Sequence, residues 1–488
     1  MGKDFWQRFK PRKPIEPRIS KSQWLAHFSQ LLGEIPGAKS SVPNDAHACS
    51  AAQATRSADG AELNVPFTAA DVNHGIRMLR RGSATLGFLS VEALRAASGV
   101  LAPVVVALFN ACAQAGSLPA AWSLCAITPI HKSGAVTEPG NYRGIAVGTV
   151  LAKLYATLLN SRLTHWAEAN GLRATGQAGF REDHRCSDNL LVMRTIIEQQ
   201  RVRKAPLYTC FVDFRKAYDS IPRDLLWAKL EGLGVHGWFL DSIKALYGAV
   251  PMAVKTAQGL TGTFQSAMGV KQGCPLSPTL FGLYLDDLED AMHAKQDLLD
   301  LPALAGVPLL ALLYADDLAL VSTSAAGLQR QLDVLQEYAR RWGLTVNVDK
   351  TKAVVYKAAS NSVCSNPALV YDGMPIEVVE SFKYLGVDLH CTKPFADAGL
   401  PRKESGQRAM LAMLSRCREL GIEDPLLQVR LFDALVQPVM LYAVEMWGVR
   451  DVGKGELAGD LIHRAFLRRL LGVRTGTSNV AVLAETGQ

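Results

Sequence analysis

Two apolar runs, Ala311-Leu-Leu-Tyr-Ala315 and Leu318-Ala-Leu-Val321, enclose Asp316 and Asp317, and no other feature constrains the fold as tightly. Runs of this length read as buried strands. Two adjacent carboxylates survive between them only at the tip of a tight hairpin, in water or against a cation. The hairpin therefore aims acid at a site, although an Asp-Asp turn chosen for turn chemistry alone produces the same pattern. A third carboxylate, Asp213, ends another β-type run that begins at Leu207. Side chains at strand ends are held rigidly and point into crevices. Two hard divalent ions that clamp the attacking and leaving oxygens of a phosphoryl transfer need carboxylates from at least two elements. Asp213 and Asp316 supply them if their strands are neighbours in one sheet, which the sequence leaves open. Asp219, a little further on, reads as structural, capping or pairing near the next helix.

A third segment, Gly269-Val-Lys-Gln-Gly-Cys-Pro-Leu-Ser-Pro278, describes a loop feeding a helix. Gly273 allows close backbone approach, Gln272 offers a two-sided amide, and Ser277-Pro278 reads as an N-cap followed by proline at the first helical turn. Cys274 reads as a small packed residue. Apolar residues at three- and four-residue steps mark helices over 151–166 and 328–342, the second ended by Gly343. Thr68 is a candidate N-cap for a helix from Ala69, and another helix is expected near Val91–Ala97. Further β-type runs are Leu309–Tyr314, Leu318–Val321, Thr345–Val348, Ala353–Tyr356 and Phe382–Leu389. This irregular mixture predicts an α+β core followed by a mainly helical last 90 residues.

Composition excludes several classes. With 49% apolar and 20% charged residues the chain is globular, and its 488 residues exceed one core's worth. Nine scattered cysteines, never spaced C-x-x-C, argue for reduced thiols in an intracellular protein and against a zinc knuckle. The uncharged stretch Ala96–Ile130 holds an apolar core, Val100–Phe109, too short to span a membrane, so a buried helix is expected. The net charge of +7 permits a polyanionic partner. Cations concentrate in residues 1–21, interleaved with Phe5, Trp6 and Phe9, and again at His463, Arg464, Arg468, Arg469 and Arg474; both read equally as phosphate contacts or as solvated surface. Asp286, Asp287, Glu289 and Asp290 read as a solvated helix face. The P-loop-like Gly448–Gly455 lacks the required Ser/Thr and reads as coincidence.

The order of these elements resembles the reverse transcriptases, and within them the non-LTR, LINE-like retrotransposon type. Phe211-Val-Asp213-Phe-Arg-Lys-Ala-Tyr-Asp219 looks like motif A, Gln272–Pro278 like motif B and Tyr314-Ala-Asp-Asp317 like motif C. Leu344–Thr351 is similar to motif D and Phe382-Lys-Tyr-Leu-Gly386 to motif E. Pro129–Lys132 and Asn141–Ile145 resemble the fingers motif, with Gly144 where proline is usual, and Gln177-Ala-Gly-Phe-Arg181 resembles the motif after it. The stretch Gly82–Phe88 matches the usual pre-fingers run without its charge and prolines.

The resemblance implies a right-hand polymerase fold of fingers, a palm with an antiparallel sheet, and a mostly helical thumb. The divisions expected are a basic arm and flexible connector over 1–65, a helical extension over 66–118, fingers and palm over 119–390, and a thumb over 391–488. It implies an RNA-directed DNA polymerase copying an RNA template onto a DNA primer from dNTPs. Asp213, Asp316 and Asp317 are then the ligands of two Mg²⁺ ions, with Mn²⁺ as a substitute. Lys132 and Arg143 would hold the triphosphate, Gln272 would touch the sugar, and Tyr218 would exclude a 2′-hydroxyl. Lys350 is the candidate proton donor to pyrophosphate, and Phe382, Lys383, Tyr384, Leu385 and Gly386 would grip the primer. A nuclear location is expected and, because no nuclease pattern is seen, so is an endonuclease encoded elsewhere or missing from this fragment. The rival readings are a group II intron-type reverse transcriptase with maturase activity, and a non-catalytic RNA-binding relic of a retroelement.

Overall fold

Helix starts follow local capping chemistry. In the computed structural model, which describes residues 19–33, 56–248, 250–357, 367–395, 399–448 and 458–487, Ser20 and Gln23 cap α1 (Lys21–Leu32) reciprocally. Thr68 and Asp71 do the same for α2 (Ala69–Met78), each pair satisfying two otherwise orphaned donors. Next come α3 (Val91–Ala96), α4 (Ser98–Ala115), β1 (Cys125–His131), β2 (Tyr142–Val147), α5 (Val150–Ala169), α6 (Cys186–Val202) and β3 (Leu207–Val212). The short α7 (Ala217–Ser220) precedes α8 (Arg223–Leu233) and α9 (Gly237–Tyr247). β4 (Val250–Thr256), β5 (Gly259–Leu260) and β6 (Phe264–Ser266) lead to α10 (Ser277–Leu285) and α11 (Leu288–His293). A small hairpin, β7 (Ala303–Leu304) and β8 (Val307–Pro308), precedes β9 (Leu312–Tyr314), β10 (Asp317–Ser322), α12 (Ala325–Arg341) and β11 (Lys352–Tyr356). β12 (Val370–Tyr371), β13 (Met374–Pro375), β14 (Glu377–Val378), β15 (Ser381–Tyr384) and β16 (Val387–His390) complete the strands. α13 (Gly399–Glu419), α14 (Pro425–Leu435), α15 (Gln437–Met440), α16 (Val444–Trp447), α17 (Ala458–Leu470) and α18 (Asn479–Thr486) follow.

Two five-stranded sheets organise the chain. The second, in the order β14-β11-β3-β10-β9, has β3 and β10 antiparallel at its centre with Leu318 opposite Val212. The adjacency that the sequence left open is therefore present. α12 covers this sheet through Leu328, Leu332 and Leu335 in a core shared with α5, α8, α9 and α10. The first sheet joins β2, β1 and β4, with β5 and β6 added to β4. Of the described helices from α13 onward, α13, α14, α15, α17 and α18 gather around a separate core that includes Met410, Met413, Leu431, Phe432, Met440, Phe466, Leu467 and Val482, whereas α16 packs through Met446 and Trp447 with α6 and the central sheet.

Several expectations need correction. Part of the expected flexible connector is α1, whose Trp24 and Phe28 are buried against Ile127, Tyr142 and Val254 of the first sheet. This contact also accounts for Gly144, since a Cβ there would lie 2.5 Å from the Phe28 ring and 2.9 Å from Ile127. The expected strand Thr345–Val348 forms only one bridge, Val346 to Phe214. α4 is buried on one face through Ala102, Val105 and Phe109, whereas Val100 and Val104 are exposed. Ser277 is not an N-cap; its hydroxyl bonds the Lys271 carbonyl and the Tyr247 hydroxyl.

The largest correction concerns the acidic cluster, which is drawn inward by cations remote in sequence. Asp286 pairs with Arg173 at 2.6 Å, Asp287 with Lys229 at 2.6 Å, and Glu289 with Arg56 at 2.9 Å. Lys229 is held by the Tyr284 carbonyl and the Tyr338 hydroxyl as well, and lies over the Trp342 ring. In the C-terminal basic run, Arg468 bonds the Thr477 carbonyl and Asn479. The basic residues 1–18, with Phe5, Trp6 and Phe9, and most of the P-loop-like segment lie outside the described residues.

Candidate active site

The β9–β10 hairpin turns through Tyr314-Ala315-Asp316-Asp317, with Tyr314 opposite Asp317 and Ala315 in the left-handed region at φ +58°. Extending the β10–β3 register by one residue sets Asp317 opposite Asp213, which follows the last residue of β3. The three aspartates thus meet at the same end of two central strands.

Their electrostatics follow from this crowding. Asp316 and Asp317 are exposed to solvent yet crowded by the groups around them. Desolvation raises the pKa of both. Asp213 adds repulsion to each, and for Asp317, pushed up to about 6, Asp316 adds more. Among the described residues neither makes an ion pair. Asp213 has one distant cation, with Lys350 Nζ 4.0 Å from its carboxylate. Lys132, just after β1, and Arg143, on β2, lie across from the acids and act on Asp316 electrostatically. Burial, then the charge of Arg143, lowers the Lys132 pKa.

The backbone of Asp213 is fixed from an unexpected direction. Its N–H donates to Thr351 Oγ1, and its carbonyl accepts from the Asn347 N–H. Thr351 is fully buried, and Asn347 also receives the N–H groups of Lys350 and Thr351. One tight loop therefore sets both Asp213 and Lys350. Asn347 and Thr351 were missed in sequence because they act through backbone contacts, which no spacing pattern reveals.

Gln272 does not stand free, since its amide donates to both oxygens of Asp219 at 2.9 and 3.0 Å. Burial pushes the Asp219 carboxyl up to about 6. Asp219 thus pairs as expected, though with the motif B-like loop and not with a helix start. The loop's backbone is tied to β2, with the Ala146 N–H donating to the Gln272 carbonyl at 2.7 Å. Gly273, at φ +102°, fits only without a side chain, because a Cβ would lie 2.9 Å from Ile145. Arg223, buried beneath, binds the carbonyls of Gly269, Ser266 and Met268 and so props this loop from below.

Tyr218 lies on the four-residue α7, a shorter helix than expected, and stacks on Phe281 at 4.6 Å. In the β15–β16 hairpin, Phe382 stacks on Phe211 of β3 at 4.5 Å and Tyr384 is buried, whereas Lys383 is exposed. Leu385 and Gly386 make its tight turn, with φ of +43° and +80°. Their carbonyls accept from Tyr442 and Arg402. The structure therefore brings Lys132, Arg143, Tyr218, Gln272 and Lys350 around the aspartates, and directs Phe382 and Tyr384 into the core beside them.

Sequence comparison agrees with this geometry. The family profile described as "Reverse transcriptase (RNA-dependent DNA polymerase)" matches residues 130–389, more than half of the chain. A probable RNA-directed DNA polymerase from transposon BS of Drosophila melanogaster is 27% identical over 363 residues, covering 70% of this chain and 38% of that protein. A retrovirus-related Pol polyprotein from a type-1 retrotransposable element R2 of Popillia japonica is 27% identical over 377 residues, covering 76% and 50%. The chain thus spans half or less of the length of these relatives. Among solved structures, apo telomerase from Candida tropicalis, truncated from its C-terminal domain, aligns at 16% identity and a TM-score of 0.40, over 55% of this chain and 54% of that one. With its site built at the end of an antiparallel central sheet, the chain belongs to the reverse transcriptase family, on its non-LTR side, and has the right-hand polymerase fold.

Proposed function

We propose that the chain is an RNA-directed DNA polymerase that adds deoxynucleotides to a DNA 3′-hydroxyl by in-line attack on the α-phosphate. The observation that carries this reading is the meeting of Asp213, Asp316 and Asp317 at the ends of two paired strands, opposite Lys132 and Arg143.

The family uses divalent ions. The donor set here suits them, because three carboxylates offer hard oxygens and repel one another without a cation between them. Among the described residues no three acidic, imidazole or thiol side chains form a ready metal cluster. Carboxylates at the ends of two strands suit Mg²⁺, which keeps waters and shares substrate phosphates, with Mn²⁺ as a substitute. Asp213 and Asp316 would hold two such ions, with Asp317 beside them. When bound, the ions supply charge to the transferring phosphate and acidity to the attacking hydroxyl.

The chain's own residues do the rest. Lys132 and Arg143 hold the triphosphate as charge-assisted donors. Lys350, exposed and tethered near Asp213, gives a proton to departing pyrophosphate. The ring of Tyr218 excludes a 2′-hydroxyl, and Gln272, fixed by Asp219, faces the sugar. The β15–β16 hairpin supports the primer, offering Lys383 and its turn while Phe382 anchors it to β3. Fingers and palm then occupy 119–390, and α13 to α18 are the thumb. The partners are an RNA template and a DNA primer, with strand nicking left to an endonuclease activity elsewhere.

Primer extension on a homopolymer RNA template with Mg²⁺ tests this reading. Extension is expected from the unaltered chain and none from Asp213→Ala or Asp316→Ala, with template binding retained, because nucleic-acid affinity comes mostly from Lys and Arg on phosphates. Extension by either variant overturns it.

A further inference from the structure

Gln177 is fully buried and touches none of the aspartates, yet its side chain is spent on the turn that carries two of them. Its Oε1 accepts from the Ala315 N–H at 2.9 Å and from the Gly179 N–H at 2.8 Å, and its Nε2 donates to the Ala315 carbonyl at 3.4 Å. One amide therefore grips both backbone groups of the residue before Asp316. Ala315 needs such a grip, since at φ +58° it holds a conformation that residues with a Cβ rarely adopt.

The gripping segment is itself built in. Residues 176–178 run beside β9, with the Ala178 N–H donating to the Leu313 carbonyl and the Leu313 N–H to the Gly176 carbonyl. Asn189 Nδ2 donates a second bond to the Leu313 carbonyl. The segment lies so close that a Cβ on Gly179 would sit 2.1 Å from the Ala315 nitrogen. Arg181 fixes its other side, donating to the carbonyls of Ala174 and Gln177 and, through both ends of its guanidinium, to Glu168 of α5. A continuous chain of bonds thus runs from α5 to the Asp316 turn.

We propose that Gln177 is a positioning residue for the metal-binding aspartates, holding Ala315 left-handed so that Asp316 and Asp317 face Asp213. This rests on the polymerase reading above and names a residue through which that site is set. Loss of the clamp should leave the strands paired while the turn relaxes.

The test uses three variants of the full chain, with Mn²⁺ binding followed by the electron paramagnetic resonance signal of the free ion alongside primer extension. Gln177→Met keeps length and loses every bond; it is expected to weaken Mn²⁺ binding and to lower kcat by about 10–100-fold, the range for residues that orient metal ligands, with KM for template–primer unchanged. Gln177→Glu keeps both acceptor bonds and is expected to lie nearer the parent in Mn²⁺ binding. Adding Ala315→Gly to Gln177→Met makes the left-handed turn easy without the clamp and is expected to restore much of the loss. Should Gln177→Met fail to fold, Gln177→Asn, one methylene too short to reach Ala315, serves in its place. Mn²⁺ affinity and kcat at parental levels without the clamp overturn the proposal, as does a loss that neither Gln177→Glu nor Ala315→Gly relieves. If the unaltered chain extends no primer, the polymerase reading fails while Mn²⁺ binding still decides the role of Gln177.

Discussion

Two clusters of acid lie in one molecule and are treated oppositely. At the end of α10 and in α11, Asp286, Asp287 and Glu289 each meet a cation within 3 Å, supplied by Arg173, Lys229 and Arg56. At the ends of β3 and β10, Asp316 and Asp317 have no ion pair among the described residues, and Lys350 only approaches Asp213. Taking charge out of water costs several kcal/mol per ion unless a partner repays it. The first cluster is balanced inside the chain and so is architecture. The second is left for charge from outside: burial raises both Asp317 and Asp286 to about 6, but at Asp317 the charged neighbours Asp316 and Asp213 add to that rise, whereas at Asp286 Arg173 opposes it.

The sharpest way to break this contrast is to neutralise one acid on each side. Asp316→Asn should reduce nucleotide addition below detection in a primer-extension assay. It should leave the melting temperature at or above the parental value, because it removes the repulsion from Asp213 and breaks no ion pair among the described residues. A melting temperature several degrees lower would mean that Asp316 is architectural after all.

The converse holds for the second acid. Asp286→Ala leaves the Arg173 guanidinium buried with its other nitrogens already short of partners, and should cost about 3–5 kcal/mol in chemical denaturation. Replacing the pair together, Arg173→Met with Asp286→Leu, should recover most of that loss, as apolar packing often substitutes for a buried ion pair. A single variant as stable as the parent would place Asp286 among the solvated acids that its sequence context suggested.

That context explains what could be read in advance. The alternation around Asp316 and Asp317 was enough for the hairpin, because turn chemistry and apolar strand length are local properties. The pairing of β10 with β3 was not readable from the residues themselves, since it is a property of the sheet; only the resemblance implied it. The buried acids misled because their partners are remote: Arg56 lies 233 positions from Glu289, and Arg173 113 from Asp286. Gly144 looked like a departure until α1, read as a loose connector, supplied the Phe28 ring that leaves no room for a side chain. The roles of Gln177, Asn347 and Thr351 rest on hydrogen bonds to or from backbone groups, and composition carries no trace of those.

Discrimination between sugars tests the open side of the contrast more gently. Tyr218 stacks on Phe281 and does not bond any acid, so the ring can be removed without touching the charges. Tyr218→Ala should admit ribonucleotides by about 1–3 kcal/mol in relative kcat/KM, the range for exclusion by pocket shape. The ratio of ribo- to deoxynucleotide incorporation on one template measures it, and an unchanged ratio in an active variant would make Tyr218 a packing residue.

The smallest effect is one of sign, and it separates Asp317 from Glu289 through pH. Burial, then Asp316 and Asp213, holds the Asp317 carboxyl near 6, above its unfolded value. The folded chain therefore binds that proton more tightly than the unfolded chain, so the fold gains stability as pH falls through about 6, and the gain is lost as pH rises again. Glu289 runs the other way. Burial raises its pKa, but bonds from Thr175 and Arg56 outweigh that and hold it below the ordinary value. Its contribution is present above the unfolded pKa and lost as pH falls through the lowered folded one. Asp317→Asn should therefore flatten the gain in denaturation midpoint between about pH 7 and about pH 5, whereas Glu289→Gln should lower the midpoint at neutral pH and converge with the parent only in more acid solution. Protons and Mn²⁺ compete for the same oxygens of Asp317, so Mn²⁺ affinity should fall over that interval in the parent. Equal slopes for the two variants would show that both acids belong to one electrostatic class, and the contrast between architecture and site would have to rest on geometry alone.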